Sequence, residues 1–223
     1  MQGNGGTMSV DVAARHAVNT LMSGPAAGVK AAAFTALAAG HANVISCDMG
    51  GTSFDVGLIR DGRPVVSADK ELGYGLPVRV PMIDIHSIGA GGGSIAAVNS
   101  AGILQVGPES AGADPGPICY ARGGDAPTIT DANLLLGRMN PDALLGVEKR
   151  VDLARIRDLM DRKLGAQLGL DPVQVASAIV RVANDKMAGA IRLVSLNRGH
   201  DPRDFVLLAF GGAGPLHAAA LAR

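Results

Sequence analysis

Three segments carry residue types at spacings that could do chemistry. The first is Asp48-Met49-Gly50-Gly51-Thr52-Ser53-Phe54-Asp55. Two adjacent glycines let backbone N–H groups converge on an anion because no Cβ blocks the approach, and the Thr52 and Ser53 hydroxyls add donors. Asp48 ends the preceding apolar run, where it can hold a hydrated magnesium ion, and Asp55 opens the following run nearby. The same spacing also suits a plain hairpin with a glycine turn and a capping aspartate. The second segment is Phe210-Gly211-Gly212-Ala213-Gly214-Pro215-Leu216-His217, an apolar run followed by a glycine turn and a helix start. Such a turn brings a ligand close to the partial positive charge of a helix N-terminus, and it also serves as an ordinary tight connection. It is not a dinucleotide fingerprint, since His217 stands where the third glycine would be. The third runs from Ile83 to Ser94. Alternation puts Asp84 and His86 on one face of a strand, where they could share a metal, a proton or a substrate carbonyl, and Gly91, Gly92 and Gly93 before Ser94 let a substrate approach the backbone. A lone histidine is more often a satisfied structural residue than a ligand.

These segments need elements to hold them. Ser23-Gly24-Pro25 predicts a helix reaching about Ala39, with serine as cap and proline in the first turn. Residues 42–48 and 54–60 read as strands joined by the first glycine turn. Asp61-Gly62 then leads into a third strand over 64–67, giving a meander across 42–67. Residues 78–88 are extended, and 94–98 with 103–106 form a hairpin around Asn99 to Gly102. The prolines and glycines of 107–127 predict a long ordered loop outside regular structure. Thr130 or Asp131 caps a helix over 132–138. Helices follow over 151–168 and from Pro172 to about Arg198, the latter with Ile179, Val182, Ala183, Met187, Ala190, Ile191 and Val194 on one apolar stripe. Phe205 to Phe210 reads as a buried strand and the glycine turn opens a last helix.

Composition narrows the class. Twenty basic and twenty acidic side chains cancel and are scattered, and aromatic residues make up 3% of the chain, which argues against nucleic acid or an anionic membrane as partner. Apolar stretches such as 26–39 are broken by Lys30 and glycines, so no membrane span is expected, and Gln2, Gly3 and Asn4 after Met1 lack the basic patch and apolar core of a secretory leader. Cys47 and Cys119 fit neither a metal knuckle nor a disulfide framework, which suits a reducing cytoplasm.

Taken together, SGPAAGV at 23–29, DMGGTSFDV at 48–56, IGAGGGSIA at 88–96, VGPESAGADPGPICY at 106–120, PTITDANLLLGR at 127–138 and FGGAGPLHA at 210–218 resemble the hydantoinase A and 5-oxoprolinase family. That family also includes a subunit type of the ATP-dependent acetone and acetophenone carboxylases. The resemblance implies an α/β fold like that of actin, hexokinase and the heat-shock chaperone ATPases, a ribonuclease H-like, two-lobed arrangement with mixed sheets, hairpins and flanking helices.

In that scheme 42–67 is the second phosphate hairpin, 78–138 a substrate-side region, 151–199 a helical region and 205–223 the adenosine-contacting strand and helix. The first phosphate hairpin has no counterpart before Ser23, so a fragment with weak or no ATP binding of its own is expected. The resemblance assigns Gly50, Gly51, Thr52 and Ser53 to phosphate, Asp48 and Asp55 to Mg2+ or Mn2+ or its water, and Gly211, Gly212 and Gly214 to the nucleoside. It leaves Asp48, Asp84 and His86 as catalytic candidates, with Gly91 to Ser94 on the substrate side. The implied reaction is ATP-dependent phosphorylation of a cyclic amide carbonyl, followed by ring opening with a B-type subunit or domain in an oligomeric enzyme. A ketone carboxylase subunit and a non-catalytic nucleotide-binding assembly module are the alternatives.

Overall fold

The computed structural model describes residues 1–68, 70–72, 76–144, 147 and 150–223 of the protein. The strands in chain order are β1 (Val44–Met49), β2 (Phe54–Arg60), β3 (Arg63–Pro64), β4 (Val66–Ser67), β5 (Lys70–Leu72), β6 (Leu76–Val78), β7 (Met82–Ile83), β8 (Ile85–Ile88), β9 (Ser94–Val98), β10 (Leu104–Ser110) and β11 (Val206–Phe210). The α-helices are α1 (Val10–Arg15), α2 (Ser23–Ala38), α3 (Ile129–Leu135), α4 (Leu153–Met160), α5 (Ala166–Leu168), α6 (Pro172–Val194) and α7 (Gly214–Leu221). The chain divides into two units, one made of Met1–Asp48, Asp55–Ser87 and Ala190–Phe210, the other of Met49–Phe54, Ile88–Gly189 and Gly211–Arg223. Among the described residues no helix is long and apolar enough to cross a membrane.

The first unit is built on a five-stranded sheet of order β11-β1-β2-β3, with β8 also paired to β2. Helix α2 covers it with its small face. Ala26, Val29, Ala32, Ala33 and Ala36 are buried against Val44, Ile59, Ile83 and Ile85. Spacing of three and four residues puts those alanines on one stripe, and their size lets helix and sheet come close. Gly57 of β2 belongs to the same contact, since a Cβ there would stand 2.8 Å from Val29 Cγ2.

Three expectations change here. Met22, in a left-handed conformation at φ 57°, is the residue before α2, and it makes no side-chain capping bond. The chain therefore enters the helix one residue earlier than a serine cap requires, and Ser23 already lies in the first turn. The third strand of the meander divides: β3 pairs antiparallel with β2, while Val66 and Ser67 leave to pair with Ile83 and Met82. Val65 between them still donates its N–H to Leu58 O at 2.9 Å. β11 is half-buried rather than buried, with Val206 41% exposed, because it lies at the end of the strand order.

The second unit holds the antiparallel β9–β10 hairpin and helices α3, α4, α5, α7 and most of α6. β10 continues through Gly107 and Pro108 to Ser110, which the sequence placed in a loop. The register shifts between Val106 and Ser110, and pairing resumes at Ser110 with Ser94. An irregular stretch thus absorbs the glycine and proline without ending the strand. Helix α3 begins earlier than expected. Thr128 is its N-cap and Asp131 the third helical residue, each bonding the other's backbone in a capping box. Asp171 caps α6, accepting from the N–H groups of Val173 at 2.8 Å and Gln174 at 3.0 Å, with Pro172 in the first turn. The anticipated stripe of α6 is core, with Ile179, Ala183 and Met187 fully buried and Val182 half-buried. Between α4 and α5 the chain widens into a π-turn at Asp161–Gly165, inside the region read as one helix.

Candidate functional site

The sheet explains how two glycine turns far apart in sequence become neighbours. β1 and β11 run parallel, and their registered pairs end at Asp48 opposite Phe210. Each strand then leaves the sheet at its carboxyl end through glycines, the position from which loops of α/β proteins reach ligands. In the second unit those turns meet, with Ala213 donating its N–H to Met49 O at 3.0 Å. Gly211 makes the reversal in a left-handed conformation, φ 80°.

The turn at 49–54 is closed by Gly50 N–H on Ser53 O at 3.1 Å. Its Gly50 and Gly51 carbonyls accept from Gly92 N–H at 2.9 Å and Gly93 N–H at 2.6 Å. Thr130 in turn donates both its N–H and its hydroxyl to Gly92 O, each at 2.8 Å. The electronegative side of the turn is therefore consumed by protein, which suits a loop that offers N–H groups to an anion. Beside it lies a pocket of about 430 Å³, within the range that takes a small-molecule ligand. Gly50, Gly51, Gly92, Gly212 and Ala213 supply its backbone wall, Thr130, Asn133 and Tyr120 its polar side chains, and Leu216, Met139 and Leu144 part of its apolar side.

The expected residues divide by position. Gly50, Gly51, Gly92 and Gly212 line the pocket. Thr52 and Ser53 lie in the same turn without lining it, and Gly214 is buried as the first residue of α7. Gly91 and Gly93 press directly against the first turn: a Cβ on Gly91 would stand 2.5 Å from the backbone of Thr52, and one on Gly93 2.9 Å from Gly51 O. Ser94 is buried and turns its hydroxyl inward to Gly89 O at 3.3 Å.

Asp48, Asp55, Asp84 and His86 belong to the first unit. Burial pushes the Asp48 carboxyl above its usual range and the Asp55 charge adds to the shift. A magnesium ion that keeps most of its waters needs only one or two carboxylate ligands, which is the donor set these two aspartates could offer. Among the described residues no group of three or more His, Cys, Asp and Glu stands together. Asp84 is ion-paired with Arg198, and His86 is half-buried one residue beyond Ile85.

Across its whole length, residues 1–223, the chain matches the family model described as Hydantoinase/oxoprolinase. The chain belongs to the hydantoinase/oxoprolinase family. Its relatives include the caprolactamase subunit alpha of Pseudomonas jessenii, 46% identical over 99% of this chain and 32% of that subunit. Among solved structures, the nucleotide-free acetone carboxylase superposes with a TM-score of 0.89 at 31% identity, over all of this chain and 32% of that one. The ATP-dependent caprolactamase from P. jessenii gives 0.85 at 46% identity, over 92% of this chain and 30% of that one. These neighbours are hydantoinase-family enzymes of the actin-like ATPase fold, the class expected from the sequence.

In this hydantoinase/oxoprolinase chain two buried side chains behind the pocket, His217, to which the sequence assigned no role, and Asp131, read only as a helix cap, hold the wall in place. His217 of α7 is fully buried, and burial with the nearby Arg138 charge pushes its imidazole down to about 4. Its Nδ1 lies 2.6 Å from Asn184 Oδ1 and its Nε2 3.3 Å from Asn133 Nδ2. One histidine in the otherwise apolar run Leu216 to Leu221 was the available signal. Asp131, also buried, accepts from Ile118 N–H at 3.2 Å, Cys119 N–H at 2.9 Å, Thr128 N–H at 3.1 Å and the Thr128 hydroxyl at 2.7 Å. Burial raises this carboxyl while those donors oppose the shift. Its grip on Ile118 and Cys119 fixes the short helical turn whose next residue, Tyr120, lines the pocket.

Proposed function

We propose that the chain is the nucleotide-handling part of an ATP-dependent enzyme that phosphorylates the carbonyl oxygen of a cyclic amide so that the ring can be opened. The observation that carries the reading is the meeting of the two glycine turns, Gly50-Gly51 and Gly212-Ala213, around one pocket. The ATP dependence of the caprolactamase of similar structure supports it.

An amide resists water because nitrogen donates into its carbonyl. Transfer of the terminal phosphoryl group of ATP to the carbonyl oxygen breaks the bond to ADP, forms an O–P bond and leaves an imidate-like carbon. Water then adds to that carbon, the ring C–N bond opens and phosphate leaves. Such transfer rests on positioning and charge neutralisation. Gly50, Gly51, Thr52 and Ser53 cradle the phosphates, and Gly211, Gly212 and Gly214 contact the nucleoside. Asp48, with Asp55, would hold Mg2+ or its water, which supplies charge neutralisation when bound. Asp84, His86 and Gly91 to Ser94 are proposed for the substrate side, although Asp84 is engaged by Arg198. Ring opening uses a B-type partner subunit or domain in an oligomeric enzyme. Two buried free thiols, Cys47 and Cys119, are in keeping with a cytoplasmic setting.

In the enzyme that contains this chain, assayed with its partner, Asp48→Asn should lower lactam-dependent ATP consumption by about a hundredfold or more while the fold persists. Full turnover by that variant would refute the assignment. The structural likeness to acetone carboxylase supports a second reading, a ketone carboxylase subunit. ATP use driven by a ketone with bicarbonate, and not by lactams, would establish it. ATP binding without any substrate-dependent turnover would instead favour a nucleotide-binding assembly module.

A further inference from the structure

Arg138 is exposed, and among the described residues no ion pair includes it. Its side chain nevertheless has a defined partner: Nη1 donates to Asn133 Oδ1 at 3.1 Å. Its N–H is also fixed, on Asn133 O at 2.9 Å. Asn133 is 1% exposed yet contributes to the pocket wall. A guanidinium is thus tethered through an amide to a residue of the pocket wall, and among the described residues most of its N–H donors are uncommitted.

That amide is locked from behind. Its Nδ2 donates to Ile129 O at 3.1 Å and faces His217 Nε2 at 3.3 Å. With one Nδ2 hydrogen for each partner, Nε2 must be the unprotonated, accepting nitrogen. The ring proton then sits on Nδ1 and is donated to Asn184 Oδ1 at 2.6 Å. A neutral His217 satisfies every partner, and a flipped Asn133 would set donor against donor at Arg138 and acceptor against acceptor at Ile129 O and His217 Nε2.

We propose that Arg138 is an anion-binding residue for the phosphates of ATP and that His217 and Asn133 are positioning residues which hold its guanidinium at the pocket wall. The inference rests on the nucleotide reading of the pocket and adds to it a cation that the glycine turns lack. Neutral N–H donors orient a phosphate chain, whereas a planar guanidinium also offsets its charge.

The test is calorimetry with ATP, ADP and adenosine on the enzyme that contains this chain. Arg138→Ala should weaken ATP and ADP by about tenfold or more and leave adenosine within about twofold, since only the phosphates carry charge. His217→Leu, which removes the acceptor for Asn133 Nδ2, should reproduce that selective loss. His217→Gln, whose side-chain oxygen can accept there, should restore most of the ATP affinity. The Arg138→Ala and His217→Leu double variant should be no weaker than either single, because both interrupt one connection. An unchanged ratio of ATP to adenosine affinity in Arg138→Ala overturns the proposal, and so do fully additive losses. Arg138 is exposed, so that variant decides the question even where His217→Leu fails to fold. A parent enzyme that binds no ATP overturns the nucleotide reading and this inference together, an outcome visible before any variant is made.

Discussion

Gly50 and Gly51 on one side, and Gly91 and Gly93 on the other, belong to two glycine segments of one unit that are joined by the N–H groups of Gly92 and Gly93, yet they lack a side chain for opposite reasons. A Cβ on Gly50 or Gly51 would meet nothing within 4 Å. On Gly91 it would stand 2.5 Å from the Thr52 backbone, and on Gly93 2.9 Å from Gly51 O. The first pair keeps space beside the pocket. The second pair lets one backbone lie directly on another, and so fixes the turn that the first pair belongs to. Glycine content alone does not separate these uses, and the sequence assigned both runs to ligand approach.

Substitution can break that contrast. Gly91→Ala has the largest expected effect, because the atoms it meets are backbone and cannot swing away; a loss of about 3 kcal/mol or more in denaturant unfolding is expected. Acidification should act next. The unfolded chain takes up a proton at His217 below about 6.5, whereas the fold resists it until about 4, so stability falls by up to about 3 kcal/mol as pH drops through that window. His217→Gln, with no proton to take up, should flatten this limb of the pH–stability curve. A curve identical to the parent's would mean that His217 takes up its proton as readily in the fold as in the unfolded chain. Gly51→Ala should change stability least, within about 0.5 kcal/mol, while weakening ATP binding about tenfold by crowding the phosphate side. If Gly51→Ala unfolds as readily as Gly91→Ala, the two kinds of glycine are the same.

Local signals carried much of the architecture. β2 spans Phe54–Arg60 as read, because an apolar run between two turns leaves few alternatives. Where several local choices were equivalent, contacts from elsewhere decided. The sequence offered Thr130 and Asp131 as caps of α3, but Thr128 takes that place, and Asp131, as its capping-box partner, also serves the N–H groups of Ile118 and Cys119. Gly107 and Pro108 signalled a loop, but pairing of Ser110 with Ser94 carries β10 past them. The site followed the same division. Gly50, Gly51 and Gly212 were legible as turns, whereas the set of Asn133, Asn184 and His217 has no spacing to betray it and exists only once α3, α6 and α7 are packed.

The parallel pairing of β1 with β11 has a consequence for synthesis of the chain. The strand that precedes the first glycine turn, Val44 to Asp48, emerges from the ribosome well before the strand that precedes the second, Val206 to Phe210. Sequence separation of that size makes the pairing slow to close. Until it closes, the nascent protein exposes an unfinished strand edge along Val44 to Asp48. A ligand of the pocket cannot help the first of these strands fold before the second is made, since part of the wall that would hold it, Gly212 and Ala213, follows the second.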